Sequence, residues 1–200
     1  MKIAILVEGR TERAFKPHLR AFLENRIPAS NLPRLDFFPC HGRLYTSDKL
    51  RRTVAQLLAD RSDAVIALTD VYTGTRGFVD AADAKRKMQE WVGPNAKFHP
   101  HAAQYDFEAW LLPYWSDIQK HAGHNKSAPA GQPEKVNHAR PPSFHLEEIY
   151  RIGSKGKRYS KVRDASKILT GKDLSVAAGV CPELKAFLNT ILMLCGAELL

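Results

Sequence analysis

Four acidic residues follow short apolar runs, and a fifth lies close behind one of them, where a metal ion or a scissile phosphate would meet them. Glu8 follows Ile3-Ala4-Ile5-Leu6-Val7, and Asp70 follows Ala64-Val65-Ile66-Ala67-Leu68-Thr69. Asp106 and Glu108, two residues apart, follow the run from Phe98 to Ala103, and Glu12 comes shortly after Glu8. Carboxylates are hard oxygen donors suited to Mg²⁺ or Mn²⁺. An ion held partly by protein and partly by phosphate neutralises a phosphodiester and activates a water for attack. A nearby Lys or Arg would stabilise the charge that develops. Taken singly, each of these acids is also what a solvated turn carries.

The elements that would position them can be read from periodicity. Ile3 to Val7 is apolar without alternation, the pattern of a strand buried on both faces of a parallel sheet. Gly9 permits a turn, Thr11 is a candidate helix N-cap, and Glu12 falls in the first turn of the helix carrying Ala14, Phe15, Leu19, Phe22 and Leu23. Pro17 predicts either a kink or a helix that begins later than Thr11. Leu35 to Cys40 reads as a second strand with His41-Gly42 as its exit turn. His41 is either a ligand or an exposed turn residue. A helix follows from about Ser47, then a third strand ending at Asp70, then a loop from Val71 to Gly77 of the kind that shapes a site. Asp80 to Val92 reads as a helix stopped by Gly93-Pro94. The fourth strand contains Pro100, which assigns it to a sheet edge.

This alternation predicts an α/β fold, a mostly parallel sheet of about four strands with helices on both faces. Ligands of such sheets bind outside the carboxyl ends of the strands. Right-handed crossovers should make Glu8 and Asp70 neighbours there. Residues 1–122 form this core in the sequence reading. Residues 123–142, rich in His, Asn, Ser, Pro and Gly, read as a flexible loop or lid, and residues 143–200 as a basic extension packing on the core.

The chain of 200 residues carries a formal charge of +9, which favours a polyanionic partner. The densest basic tract holds Lys155, Lys157, Arg158, Lys161, Arg163 and Lys167, with Tyr159 among them. It is either a solvated face or a nucleic-acid contact. Cys40, Cys181 and Cys195 are too widely spaced for a disulfide framework or a zinc motif. No apolar run is long enough to span a bilayer and no secretory signal pattern opens the chain, so a cytoplasmic protein without membrane contact is expected. Oligomeric state is left open. A dinucleotide cofactor is excluded, since the first strand is followed by one glycine where the Rossmann turn requires three.

Val7-Glu8-Gly9-Arg10-Thr11-Glu12 resembles the V-E-G-x-T-E motif that opens Toprim domains, the fold of topoisomerases, bacterial primases and overcoming-lysogenization-defect nucleases. Those domains carry D-x-D at the end of the third strand; here the segment is Asp70-Val71-Tyr72, with tyrosine at the second position. A closer resemblance is to a bacterial Toprim-like family of unknown function with D-x-Y-G and H-E-F-E-A-like segments, matched by Asp70 to Gly74 and Gln104 to Trp110. The resemblance extends to the stretch from Lys157 to Lys161. It implies a divalent-metal-dependent nuclease with Glu8, Glu12, Asp70, Asp106 and Glu108 around Mg²⁺ or Mn²⁺. Glu8 would be the general base and Lys161 the catalytic cation, Glu108 replacing the carboxylate lost at Tyr72. It also implies an AAA- or ABC-type ATPase partner and a role in phage defence. Two alternatives remain: a catalytically silent nucleic-acid-binding or partner-regulating module, and another phosphoryl-transfer enzyme on a Rossmann-like sheet.

Overall fold

A computed structural model describes the chain apart from residues 41, 73–76 and 154–157 and the side chains of 10–13. Four parallel strands, β1 (Lys2–Val7), β2 (Arg34–Pro39), β3 (Ala64–Val71) and β4 (Phe98–Gln104), form one sheet in the order β2-β1-β3-β4. Pro100 lies in β4, which pairs with β3 alone among the described residues. A residue that cannot donate to a ladder is tolerated at such an edge.

The strands lack alternation because the sheet has two buried faces. Ile3, Ile5, Val7, Ile66 and Leu68 enter one core, while Ala4, Leu6, Val65 and Ala67 enter the other. The second core is closed by α2 (Ser47–Ala59) and α3 (Ala81–Val92) through Leu50, Val54, Leu57, Ala84 and Met88. The first and larger core packs α1 (Arg10–Glu24) together with helices from the second half of the chain. These are α4 (Trp115–Ala122), α5 (Pro142–Ile152), α6 (Lys161–Leu169), α7 (Leu174–Ala178) and α8 (Pro182–Leu194). The apolar stripe of α8 is spent here, on the body of the protein.

Two local expectations are corrected. α1 begins at Arg10, so Thr11 lies inside the helix rather than capping it, and the helix runs through Pro17 instead of starting later. Phe15, Leu19, Phe22 and Leu23 are all buried on this helix. That packing outweighs the roughly 3 kcal/mol penalty of an interior proline. No helix among the described residues is long and apolar enough to cross a membrane.

The centre of the larger core is aromatic. Phe107 lies 5.3 Å from Phe15 and 5.4 Å from Trp110, which stacks on Phe187 at 6.0 Å. Phe107 and Trp110 belong to a 3₁₀ helix, Phe107–Tyr114, in which only Pro113 escapes full burial. Glu134 reaches the same cluster. It accepts the Trp110 indole N–H at 2.9 Å and the backbone N–H groups of Glu183 at 3.0 Å and Leu184 at 3.3 Å. Helix α8 opens with Pro182 and has no side-chain cap from its own Ncap residue, so the buried carboxylate from residue 134 caps it.

Glu134→Ala would strand three buried donors at once. It is expected to lower the unfolding free energy by about 2–4 kcal/mol in urea titrations, with Glu134→Gln recovering part of the loss. His101 on β4 bonds Thr190 at 2.9 Å through Nε2 while its Nδ1 is buried with no hydrogen-bond partner among the described residues. Burial, aided by the charges of Lys85 and His99, holds its pKa down at about 3 against 6.5 for an exposed ring. The unfolded chain therefore gains a proton that the fold refuses, and stability is lost as pH falls from 6.5 towards 3. Between pH 7 and pH 5, His101→Gln should lose about 2 kcal/mol less stability than the parent does.

Candidate active site

The carboxyl ends of the two central strands bring the first pair of acids together. Val7 pairs with Leu68 in the parallel register, so Glu8 emerges beside Thr69 and Asp70. The Asp70 backbone N–H donates to Glu8 Oε1 at 3.1 Å, and the Thr69 hydroxyl donates to the same oxygen. The loop after β2 is tied to this point by the Gly42 N–H, which donates to the Glu8 carbonyl at 2.6 Å. Gly42 has φ +100°, a conformation that favours glycine over any other residue.

Tyr72, two residues after Asp70, donates its hydroxyl to Asp70 Oδ2 at 2.9 Å. Burial and then the Asp70 charge raise the Tyr72 pKa, so the phenol keeps its proton and remains a donor. Glu8 and Asp70 are each 9% exposed and form the floor of an open cleft of about 810 Å³. Its walls come from the segment after β2 and from α3 with the residues before it.

The second pair is deeper. Tyr105 has φ +70°, a left-handed conformation costing about 1–2 kcal/mol for a bulky residue. It turns β4 into the 3₁₀ helix so abruptly that Asp106 and Glu108 are both fully buried. Asp106 Oδ2 accepts the Ser143 backbone N–H at 3.0 Å, in the first turn of α5. Asp106 Oδ1 is buried with no hydrogen-bond partner among the described residues. Glu108 meets the Tyr159 hydroxyl at 3.4 Å and the Lys161 ammonium at 3.5 Å.

Burial raises both carboxyls, and the Asp106 charge adds to the effect on Glu108, which is pushed up to about 7. Burial draws the Lys161 ammonium down, but the charges of Glu108, Asp106 and Asp70 outweigh it and its pKa is raised. Lys161 is thus the cation held by Glu108, with the charges of Asp106 and Asp70 adding to the field around it. Tyr159, buried against Glu108, stays protonated for the same reasons as Tyr72.

Of the residues singled out from sequence, Glu8 with Asp70 and Asp106 with Glu108 and Lys161 are brought together. The Glu12 side chain, His41, Lys155 and Lys157 lie outside the described residues. Arg158 is exposed, and its carbonyl accepts from Arg163 at 3.4 Å. Arg163 is committed to the buried Asp164 at 2.8 Å, whereas Lys167 is exposed on α6. Thr69 and Ser143, which orient the acids, carried no sequence signal, being ordinary residues in a strand and at a helix start. Among the described residues no three His, Cys, Asp or Glu side chains converge closely enough to hold a metal ion. Mg²⁺ at phosphoryl-transfer sites commonly takes only one or two carboxylates and completes its shell with water and phosphate. The Glu8–Asp70 pair fits that requirement.

A family model described as Domain of unknown function (DUF4276) matches residues 7–192. The chain belongs to the DUF4276 family. This DUF4276 chain shares the fold of the C-terminal region of the Burkholderia pseudomallei OLD protein. The match covers 96% of this chain and 98% of that one at 13% identity, with a TM-score of 0.54. The C-terminal region of the Xanthomonas campestris pv. campestris OLD protein matches over 94% of this chain and 97% of that one, at 14% identity and a TM-score of 0.45. No curated protein matches.

Removing Lys161 from the DUF4276 site leaves Glu108 and Asp106 without their cation. Because the Lys161 side chain is 40% exposed and water screens it, Lys161→Met is expected to cost only about 1–2 kcal/mol in chemical denaturation at neutral pH.

Proposed function

We propose that this chain is a divalent-metal-dependent nuclease hydrolysing phosphodiester bonds of DNA or RNA. The observation that carries this reading is the juxtaposition at the sheet's carboxyl end. Two carboxylates face an open cleft, and the charge of Asp70 is among those that raise the pKa of Lys161. The α/β fold shared with the C-terminal region of an OLD protein supports it.

Glu8 and Asp70 are the residues that would hold Mg²⁺ or Mn²⁺, with Glu12 as a further oxygen donor, while Asp106 and Glu108, which do not converge with them, act through Lys161. When bound, the ion would neutralise the phosphodiester and make a water acidic enough to attack it. Glu8 is the general base, its carboxylate oriented by Thr69 and the Asp70 N–H so that it can take a proton from the attacking water. Tyr72 fixes the rotamer of Asp70 through its hydroxyl. Lys161, held by the buried acids, stabilises negative charge on the phosphorus-bound oxygens. Arg158 and Lys167, both exposed, supply basic charge that retains the polyanion, with Lys155 and Lys157 as further candidates from the sequence. An AAA- or ABC-type ATPase is the partner, in keeping with the structural relatives being C-terminal regions of their proteins. Phage defence is the setting this arrangement suits.

One observation favours a second reading, a module that binds nucleic acid without cutting it: the phenol of Tyr72 engages the carboxylate that would otherwise ligate metal. Calorimetric titration with Mn²⁺ separates the two, since a silent module would take up none.

Purified protein is expected to cleave supercoiled plasmid or single strands with Mg²⁺ or Mn²⁺ and to be silenced by EDTA. Glu8→Gln and Asp70→Asn should each lower the rate by about a hundredfold or more while keeping the parental circular dichroism spectrum. Folded variants that cut as fast as the parent would sink the nuclease assignment.

A further inference from the structure

The walls of the cleft carry a chemistry that the acids at its floor do not explain. Arg43, in the segment between β2 and α2, is exposed and has no ion pair among the described residues. Its Nη2 lies 3.5 Å from the point where a side chain on Gly77 would begin, so the guanidinium spans from one wall to the other. On the opposite wall Phe78 and Trp91 form an aromatic pair, centroids 5.9 Å apart, and both rings are only half-buried. The other charged groups there are engaged: Lys87 with Asp83 at 2.8 Å and Glu90 with Arg86 at 2.6 Å. Arg43 is the cation in this lining left for a ligand.

We infer that this cleft binds an unpaired nucleic-acid strand, with a base against Phe78 and Trp91 and a backbone phosphate on Arg43. Two physical arguments favour a single strand, and a third concerns the nucleotide itself. Glu8 and Asp70 line an open cleft of about 810 Å³, the size of a pocket for one small ligand and so matched to an unstacked nucleotide. An aromatic wall captures bases only when their faces are exposed, as they are in single strands and not in stacked duplexes. Arginine combines a planar fork for phosphate with stacking on rings, so it serves both parts of a nucleotide. The inference rests on the nuclease reading and specifies its substrate class. It also assigns strand binding to residues outside the basic tract at the C-terminal end.

The test is binding in EDTA, where cleavage cannot intervene, with an oligo-thymidine strand, its oligo-uridine counterpart and a blunt duplex of equal length. Trp110 and Trp115 are buried, so quenching of intrinsic fluorescence reports Trp91. Both single strands should quench and bind more tightly than the duplex, and the tighter of the two identifies the sugar. Trp91→Phe should abolish quenching while keeping affinity, and Trp91→Leu should weaken binding about tenfold. Arg43→Gln should weaken it comparably and reduce the slope of log affinity against log salt by about 0.7. Equal binding of duplex and single strand would overturn the proposal, as would parental affinity in both Trp91→Leu and Arg43→Gln. Metal-dependent cleavage by the parent, scored on the same preparations, keeps the nuclease reading separate. Cleavage with variants that bind normally removes only the cleft assignment, and strand binding through Arg43 and Trp91 without cleavage removes only the nuclease.

Discussion

A carboxylate carried out of water must find donors or a cation, and this requirement holds the C-terminal half of the chain to the sheet. Asp106 accepts the N–H of Ser143 at the start of α5, and Glu134 accepts two N–H groups at the start of α8. Both helices open with proline and make no side-chain cap of their own. In each case the positive end of a helix and the buried acid satisfy one another. Asp164 does the same locally, taking the Ser160 N–H at 2.8 Å together with Arg163. Helices α5, α6 and α8 are therefore positioned by charge as well as by apolar contact, and the pairing fixes which end of each faces the sheet.

The same requirement divides the site into two electrostatic environments. Glu8 and Asp70 stand at the floor of the open cleft, each retaining a little exposure. Asp106 and Glu108 lie beneath, forced inward by the strained turn at Tyr105, with one ammonium between two acids. An acid pair under-neutralised by its surroundings draws cations and protons, and it holds Lys161 in the fold. The charge that fixes Lys161 in place is therefore internal.

Much of the fold could be read from the chain because its strands are doubly buried. The unbroken runs Ile3–Val7 and Ala64–Thr69 each feed both cores, so they could only be inner strands, and Pro100 could only be at an edge. The contact of Glu8 with Asp70 followed from topology alone. Other features were illegible for physical reasons. Proline in α1 is decided by the packing of Phe15 and Leu19, which no local propensity encodes. Glu134 sits in a stretch with the composition of a loop, and its role as a remote cap depends on residues 183 and 184, far away in sequence. The direction of Asp106 and Glu108 depends on a single positive φ at Tyr105, a residue that rarely adopts one.

Charge density along a sequence is a poor guide to charge available to a ligand. In the tract that looks most suited to a polyanion, Arg163 is fastened to Asp164 at 2.8 Å and Lys161 to Glu108 at 3.5 Å. Their positive charges are largely neutralised by acids that the fold has buried or half-buried. Arg43 stands among neutral residues and draws no notice in the sequence, yet it faces the cleft without an acidic partner among the described residues. Phosphate responds to uncompensated charge near its path and to how far that charge is desolvated, not to the count of basic residues. Lys161 and Arg163 therefore serve the fold first, and the charge open to a ligand lies with cations, such as Arg43, that the fold has not already paired.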